Sequence, residues 1–462
     1  MQEDARGLKL TTPSEAAARH IDQAVSDFLD YRMTASAEVK AALGEDPDFV
    51  LALCFRGYFL MMLENRAILP KVEQTLQKIR PHLDAVTPRE HLHVRALEAW
   101  AAGDLSRACL LWEELLTEAP HDLLALKLHH TMTFYTGRSH VLRSVVSSVL
   151  GAWNETIPGY GYVQGMYAYA LEECGDYDAA ERWGRDAFDR NPEDLWAIHS
   201  VAHVMEMQGR SDEGTKWLDY TQEQWAHKNP FKAHVWWHAA LFLLAQGDYD
   251  RALSHYDNEL SSVNSANYID VSNQASLLKR LEIAGIDVGD RWDVLAEHAE
   301  TRIDDHMLPF RDVHFCLALA ADGKLDVARR QIEGMATFSS ESQGWTADVT
   351  ASTLIPLCEG IIAYEAGDYA KACDMLWPMR NDLALIGGSH AQRDLFAQIL
   401  NDTALRGGKL SIARSLLAER VARRPTAKGT WLKYADVLSE LGESELARRA
   451  ETQSATAPEA GA

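Results

Sequence analysis

The chain has 462 residues, 47% of them hydrophobic, with 45 basic and 68 acidic side chains and a net charge of −23 with histidine neutral. That length buries one long core or two to three compact ones without staples, and acids spread along the whole chain argue against duplex nucleic acid and anionic membrane surfaces as partners. Six cysteines lie far apart with no paired spacing, no run approaches the roughly 18 apolar residues of a membrane span, and the start Met1-Gln2-Glu3-Asp4 has no apolar leader, so a soluble protein of the cytoplasm is expected.

In chain order, residues 1–10 read as a flexible N-terminus and residues 11–90 as helices with a weak repeat signal, Pro47 marking a helix stop. A unit becomes legible at Gly103-Asp104-Leu105, Ala108, Trp112, Leu115 and Pro120, and it returns as Gly175-Asp176-Tyr177, Ala180, Ala187 and Pro192. Further copies begin at Gly209, Gly247, Gly323, Gly367, Gly408 and Gly442, most of them one or two steps of about 34 residues apart, the period of tetratricopeptide-type helix pairs. In each unit the glycine ends a first helix in the left-handed conformation and the following residues start a second. The alanine lets two backbones approach, and the proline stops the second helix.

One such pair cannot bury its own apolar face, so pairs must stack. The predicted fold is all-α: a tetratricopeptide-like solenoid of antiparallel helix pairs wound into a superhelix. Its expected parts are a helical-repeat lobe over 11–260 and divergent helix pairs over 261–305, where the signature fades around Gly285 and Gly289. A second lobe over 306–452 and a flexible tail over 453–462 complete it. There is no phosphate-cradling loop, dinucleotide fingerprint, nucleophile elbow or paired-cysteine site. Asn154-Glu155-Thr156 matches a glycosylation sequon, which carries no weight without a secretory signal.

Several strings resemble the tetratricopeptide repeat protein 38 family. They are His91-Leu92-His93-Val94, Ala125-Leu126-Lys127 with His130 and Phe134-Tyr135, Asp194-x-Trp196-x-x-His199-x-Val201-Ala202-His203, Trp237-His238, Asp312-x-His314-Phe315, and Gly387-Gly388-Ser389-x-Ala391-Gln392-Arg393-Asp394. The resemblance covers roughly residues 20–425. It implies a helical-repeat fold shared by bacterial and animal members, and no particular activity.

Function enters through the histidines. Residues four apart share a helix face, so His199, His203 and Glu206 form one stripe, and His234 and His238 repeat the spacing on the next first helix. First helices line the concave side of such a solenoid. The leading expectation is a binding protein, its groove lined by His199, His203, His234, Trp237 and His238, with His130 facing the same space, and capturing a basic or neutral peptide, a helix or a small polar ligand. In a metal reading, His199, His203, Glu206 and His238 supply ligands of the kind that hold zinc or ferrous iron, although Ser200 stands where a metalloprotease helix carries glutamate. In an enzyme reading, His203, His238 and His314 act with Glu206 and Asp312 as acids and bases on a small molecule enclosed by the superhelix. Beside these stands the plain alternative, a polar inner wall whose histidines hydrogen-bond neighbouring helices.

A second constellation, Ser389, Gln392 and Arg393 after Gly387-Gly388, has the groups to hold a carboxylate or phosphate at a helix start. It equally fits a serine N-cap with Arg393 in an inter-repeat salt bridge. Tyr160, Tyr162, Tyr167, Tyr169 and the Trp236-Trp237 pair read as core rather than pocket wall. None of these features encodes the oligomeric state or the superhelical curvature.

Overall fold

The computed structural model describes residues 1–228, 231–261 and 268–456, and helices dominate them from Glu15 onward. The helix pairs follow the glycines. Gly103, Gly175, Gly209, Gly247, Gly323, Gly367, Gly408 and Gly442 all adopt positive φ, between 67° and 81°, and Gly137 (69°) and Gly285 (85°) fill the two double-length steps. Except at Gly137, the N–H of the residue after the glycine reaches back to a carbonyl five residues earlier, as in Asp104 to Ala99 (2.9 Å), Asp176 to Leu171 (3.0 Å), Arg210 to Met205 (2.8 Å) and Ile286 to Leu281 (2.9 Å). These are the bonds of a Schellman turn, which satisfies carbonyls that a helix end leaves orphaned. Asp104, Asp248 and Asp368 then cap the following helices through their side chains. The protein is an all-α helical-repeat solenoid.

Three parts of the chain differ from expectation. Within 261–305, Tyr268–Ile283 and Trp292–Glu300 flank Gly285 as an ordinary helix pair. The first ten residues are not loose: Gln2–Glu3 pairs antiparallel with Lys9–Leu10, Arg6 binds Asp4 (3.0 Å) and Asp22 (2.9 Å), and the adjoining Thr11 hydroxyl donates to Glu90 (2.5 Å). At the other end the helix Ser444–Thr456 carries order into the expected tail, whose residues 457–462 lie outside the described residues.

The superhelix returns onto itself. Arg302 donates to the Glu64 carbonyl (2.7 Å), as does Arg311, and the Arg66 N–H donates to Asp305 (3.1 Å). One repeat on, Thr346 Oγ1 donates to the Gly103 carbonyl (3.1 Å). Further along, the His390 N–H donates to Glu173 (2.9 Å) and Arg424 stands 3.8 Å from Glu206. These partners are 217 to 247 residues apart in sequence. Early turns therefore meet late turns along a continuous rim. The approach is close enough to demand glycine: a Cβ on Gly137 would sit 1.8 Å from the Ala384 carbonyl oxygen, and one on Gly387 would sit 2.4 Å from that of Tyr135.

The helix His390–Arg406 lies against both Leu195–Met207 and Tyr268–Ile283. One apolar cluster runs from Leu10 to Val349 and a second from Trp237 to Val437, with Trp236 packed against both. The concave side is consequently interior, and the residues expected to line an open groove are buried.

Gly137→Ala and Gly247→Ala test the closure. Both replace a left-handed glycine, a strain of about 1–2 kcal/mol, but a Cβ at Gly247 meets nothing within 4 Å. Denaturant unfolding should show Gly137→Ala losing at least about twice as much stability. Equal losses would mean that the rim contact does not hold in solution.

Candidate functional site

The helix Leu195–Met207 starts where the Asp194 carboxylate accepts the N–H groups of Trp196 (3.0 Å) and Ala197 (3.2 Å). That cap fixes the helix phase, which turns His199 and His203 inward. The helix Lys232–Gln246 ends at the Gly247 turn and presents His234 and His238 at the equivalent positions of the next repeat, 35 residues after His199 and His203. All four imidazoles are buried, none more than 4% exposed. Tyr169 stacks on His199 (5.6 Å, 17°) and Trp237 on His234 (5.1 Å, 19°), so flat aromatic walls hold the rings in place.

Three nitrogens converge. The Nε2 atoms of His199, His234 and His238 form a triangle with edges of 3.1, 3.2 and 3.2 Å. On the far side of two rings sit acceptors: His238 Nδ1 lies 2.9 Å from Glu206 Oε2, and His234 Nδ1 lies 3.0 Å from Asn273 Oδ1. A carboxylate or amide oxygen accepts from Nδ1–H, which leaves Nε2 as a bare lone pair in the neutral ring. The rings are neutral, because burial pushes His234 and His238 down to about 3. Burial, reinforced by the neighbouring imidazoles, holds His199 and His203 well below their usual value.

Two lone pairs thus face each other across 3.2 Å, and the single proton that His199 Nε2 can offer does not satisfy both. One divalent cation would satisfy all three nitrogens. Zinc held by imidazoles at roughly 2.0–2.1 Å in a tetrahedral set spaces them about 3.3 Å apart, close to the edges observed. Glu206 and Asn273 would then stand where acceptors behind metal-bound histidines commonly do. Glu206, expected among the ligands, lies here with Oε2 2.9 Å from His238 Nδ1, on the far side of that ring from the triangle. Burial raises the Glu206 carboxyl, against the pull of Arg424.

His203 belongs to the cluster but not to the triangle. Its ring centroid is 4.4 Å from those of His199 and His238, one ligand atom from each of the four histidines lies within 4.8 Å of the others, and neither of its nitrogens has a hydrogen bond. Nδ1 lies 3.6 Å from Glu172 Oε2. Glu172 is fully buried, its two oxygens have no hydrogen-bond partner, and burial together with Glu173 and Glu206 pushes its carboxyl well up. Glu173 is occupied, accepting from Ser139, His390 and Arg393.

The remaining candidates lie elsewhere. His130 Nε2 accepts from Trp196 Nε1 (3.1 Å), so it buttresses the aromatic wall. Asp312 pairs with Arg311 and with His306 (3.4 Å), and His314 donates from Nδ1 to the Phe310 carbonyl (2.7 Å); these bonds hold the second half's inner helix and share no contact with the four imidazoles. Ser389 and Gln392 form a reciprocal capping box, and Arg393 faces the Gly388 carbonyl and Glu173, so of the two arrangements expected here the structure has the N-cap with its salt bridge, at the closure of the rim. Sequence reasoning missed Asn273 and Glu172. Asn273 stands beside Gln274 in a largely polar stretch and Glu172 beside Glu173 just before Gly175, so neither carried a signal in the sequence.

No family model matches the sequence. Among solved structures, the chain is similar to a human IFIT1 dimer with m7Gppp-AAAA (12% identity, covering 94% of this chain and 95% of that one, TM-score 0.38) and to yeast Tom70 (15% identity, 96% and 92%, TM-score 0.34). At these values neither supplies a residue, ligand or partner for the site, and the tetratricopeptide repeat protein 38 likeness rests on the sequence strings alone.

Buried neutral histidines make the fold acid-labile. Burial pushes His129 down to about 3 and His314 to about 4, the latter despite its bond to Phe310. The unfolded chain, with histidine near 6.5, binds more protons below that pH, so stability is complete above about 6.5 and falls as pH drops toward 4, by about 1.4 kcal/mol per unit for each such histidine. Urea unfolding at pH 7 and pH 5 should show the loss, and His129→Gln should make it shallower. Equal stability at the two pH values would contradict the neutral assignment.

Proposed function

We propose that this chain is a helical-repeat metalloprotein whose closed axis binds one divalent cation through Nε2 of His199, His234 and His238. The observation that carries this reading is the lone-pair triangle, with Glu206 and Asn273 fixing the tautomers behind it. Imidazole donors without a thiolate suit zinc or ferrous iron. The general role stays that of a repeat protein that binds, with the guest reassigned from an extended peptide in an open groove to an enclosed cation. Six unpaired cysteines fit a reducing compartment, and the cytoplasm is the proposed location. The second reading is an enzyme that uses this cation on a small polar molecule, favoured by His203, whose unpartnered nitrogens stand beside the triangle.

Plasma mass spectrometry on protein purified without a histidine tag should find one zinc or iron per chain, and His234→Ala or His238→Ala should reduce it to background. Glu206→Gln should retain the metal with affinity weakened about 10–100-fold. A wild type that remains metal-free after incubation with zinc would overturn the reading.

A further inference from the structure

Building on the three-histidine reading, we infer that the fourth coordination position of the centre holds water or a small hydroxyl-bearing ligand, received by His203, with Glu172 as the residue that positions His203. Three imidazoles complete three corners of a tetrahedral set. The fourth histidine is close enough to face the remaining corner, one of its nitrogens lying within 4.8 Å of a nitrogen of each of the other three, yet neither of its nitrogens makes a hydrogen bond, whereas the other three meet one another at 3.1–3.2 Å. A nitrogen at that remove fits contact with an atom bound to the metal.

The two ends of the His203 ring differ in surroundings. Nδ1 looks toward Glu172, 3.6 Å away, and Glu172 is the carboxylate left over at this end of the helix Tyr160–Glu172, since the next residue, Glu173, is engaged by Ser139, His390 and Arg393. Burial favours the neutral form of Glu172, but the divalent charge of the proposed centre favours the ionised one, and as a carboxylate Glu172 accepts from Nδ1–H and leaves Nε2 as an acceptor. An acceptor beside a metal corner selects a ligand that carries its own proton, hence water or a hydroxyl. Tyr169, edge-on to His203 (5.3 Å, 81°) and stacked on His199, holds the two rings in different planes and keeps His203 from swinging in parallel to its neighbour. The arrangement matches catalytic three-histidine zinc sites in donor count, where an open position admits water or substrate.

X-ray absorption at the zinc edge of the loaded wild-type protein should count three imidazoles and one oxygen. His203→Ala should keep one zinc per chain with the imidazole count unchanged, its affinity reduced by no more than about 10–100-fold. In cobalt(II)-loaded protein, azide should displace the oxygen ligand and shift the visible bands. The pH midpoint of those bands should move upward by about one unit in Glu172→Gln, with recovery in Glu172→Asp. Four imidazoles in the wild type would make His203 a ligand and overturn the inference, and that count needs no variant to fold. Wild-type protein that takes up neither zinc nor cobalt would instead overturn the three-histidine reading, and the inference with it.

Discussion

Each first helix ends because a glycine turns left-handed, and the tightness of that turn decides where the second helix starts. Gly209 and Gly247 show what depends on it. The bond from Arg210 N–H to the Met205 carbonyl and the one from Asp248 to Leu243 are the same bond made twice. Because the two units are built alike, His199 and His203 recur as His234 and His238 with the same facing. A side-chain cluster is thereby produced by backbone repetition. Neither helix carries the cluster alone, and a shift of one residue in either turn would rotate a histidine pair about 100° away from its partner.

Closure of the superhelix changes what that cluster is. In an open solenoid the first helices face solvent, where polar side chains are ordinary. Here the helix His390–Arg406 covers them, and groups such as His203 and Glu172 are removed from water. Burying a polar group without a partner costs roughly 1–3 kcal/mol, so several of them side by side form a destabilised patch that a bound cation would relieve. Asp394 on the covering helix shows the opposite case: burial alone would raise its carboxyl, while Arg420 and Arg424 outweigh that and hold it well below the usual range.

The repeats and the histidine stripes were legible in the sequence because both are local: glycine at a fixed offset and imidazoles four residues apart need only a helix to acquire meaning. The segment around Gly285 was harder, since its second helix lacks the alanine and proline of the signature, although its turn is built like the others. Curvature was not legible at all. It accumulates from small rotations between neighbouring pairs, and only their sum brings Glu64 to Arg311 or Gly137 to Ala384. For the same reason the position of Glu206 behind His238 was not legible, since it depends on side-chain reach across two helices, whereas the N-cap at Ser389 was legible as one of two fits because a capping box is local.

Contacts such as Gly103 to Thr346, 243 residues apart, set this chain apart from repeat arrays in which each unit touches only its neighbours. In those arrays stability is nearly additive along the chain, and the ends can melt while the middle persists. A solenoid clasped along its rim has no free middle: opening any repeat between the clasped turns strains the closure, so the array gains the cooperativity of a globular domain together with the slower folding of long-range topology. Synthesis imposes an order on this, because the inner wall is made first and its cover, His390–Arg406, is added near the end.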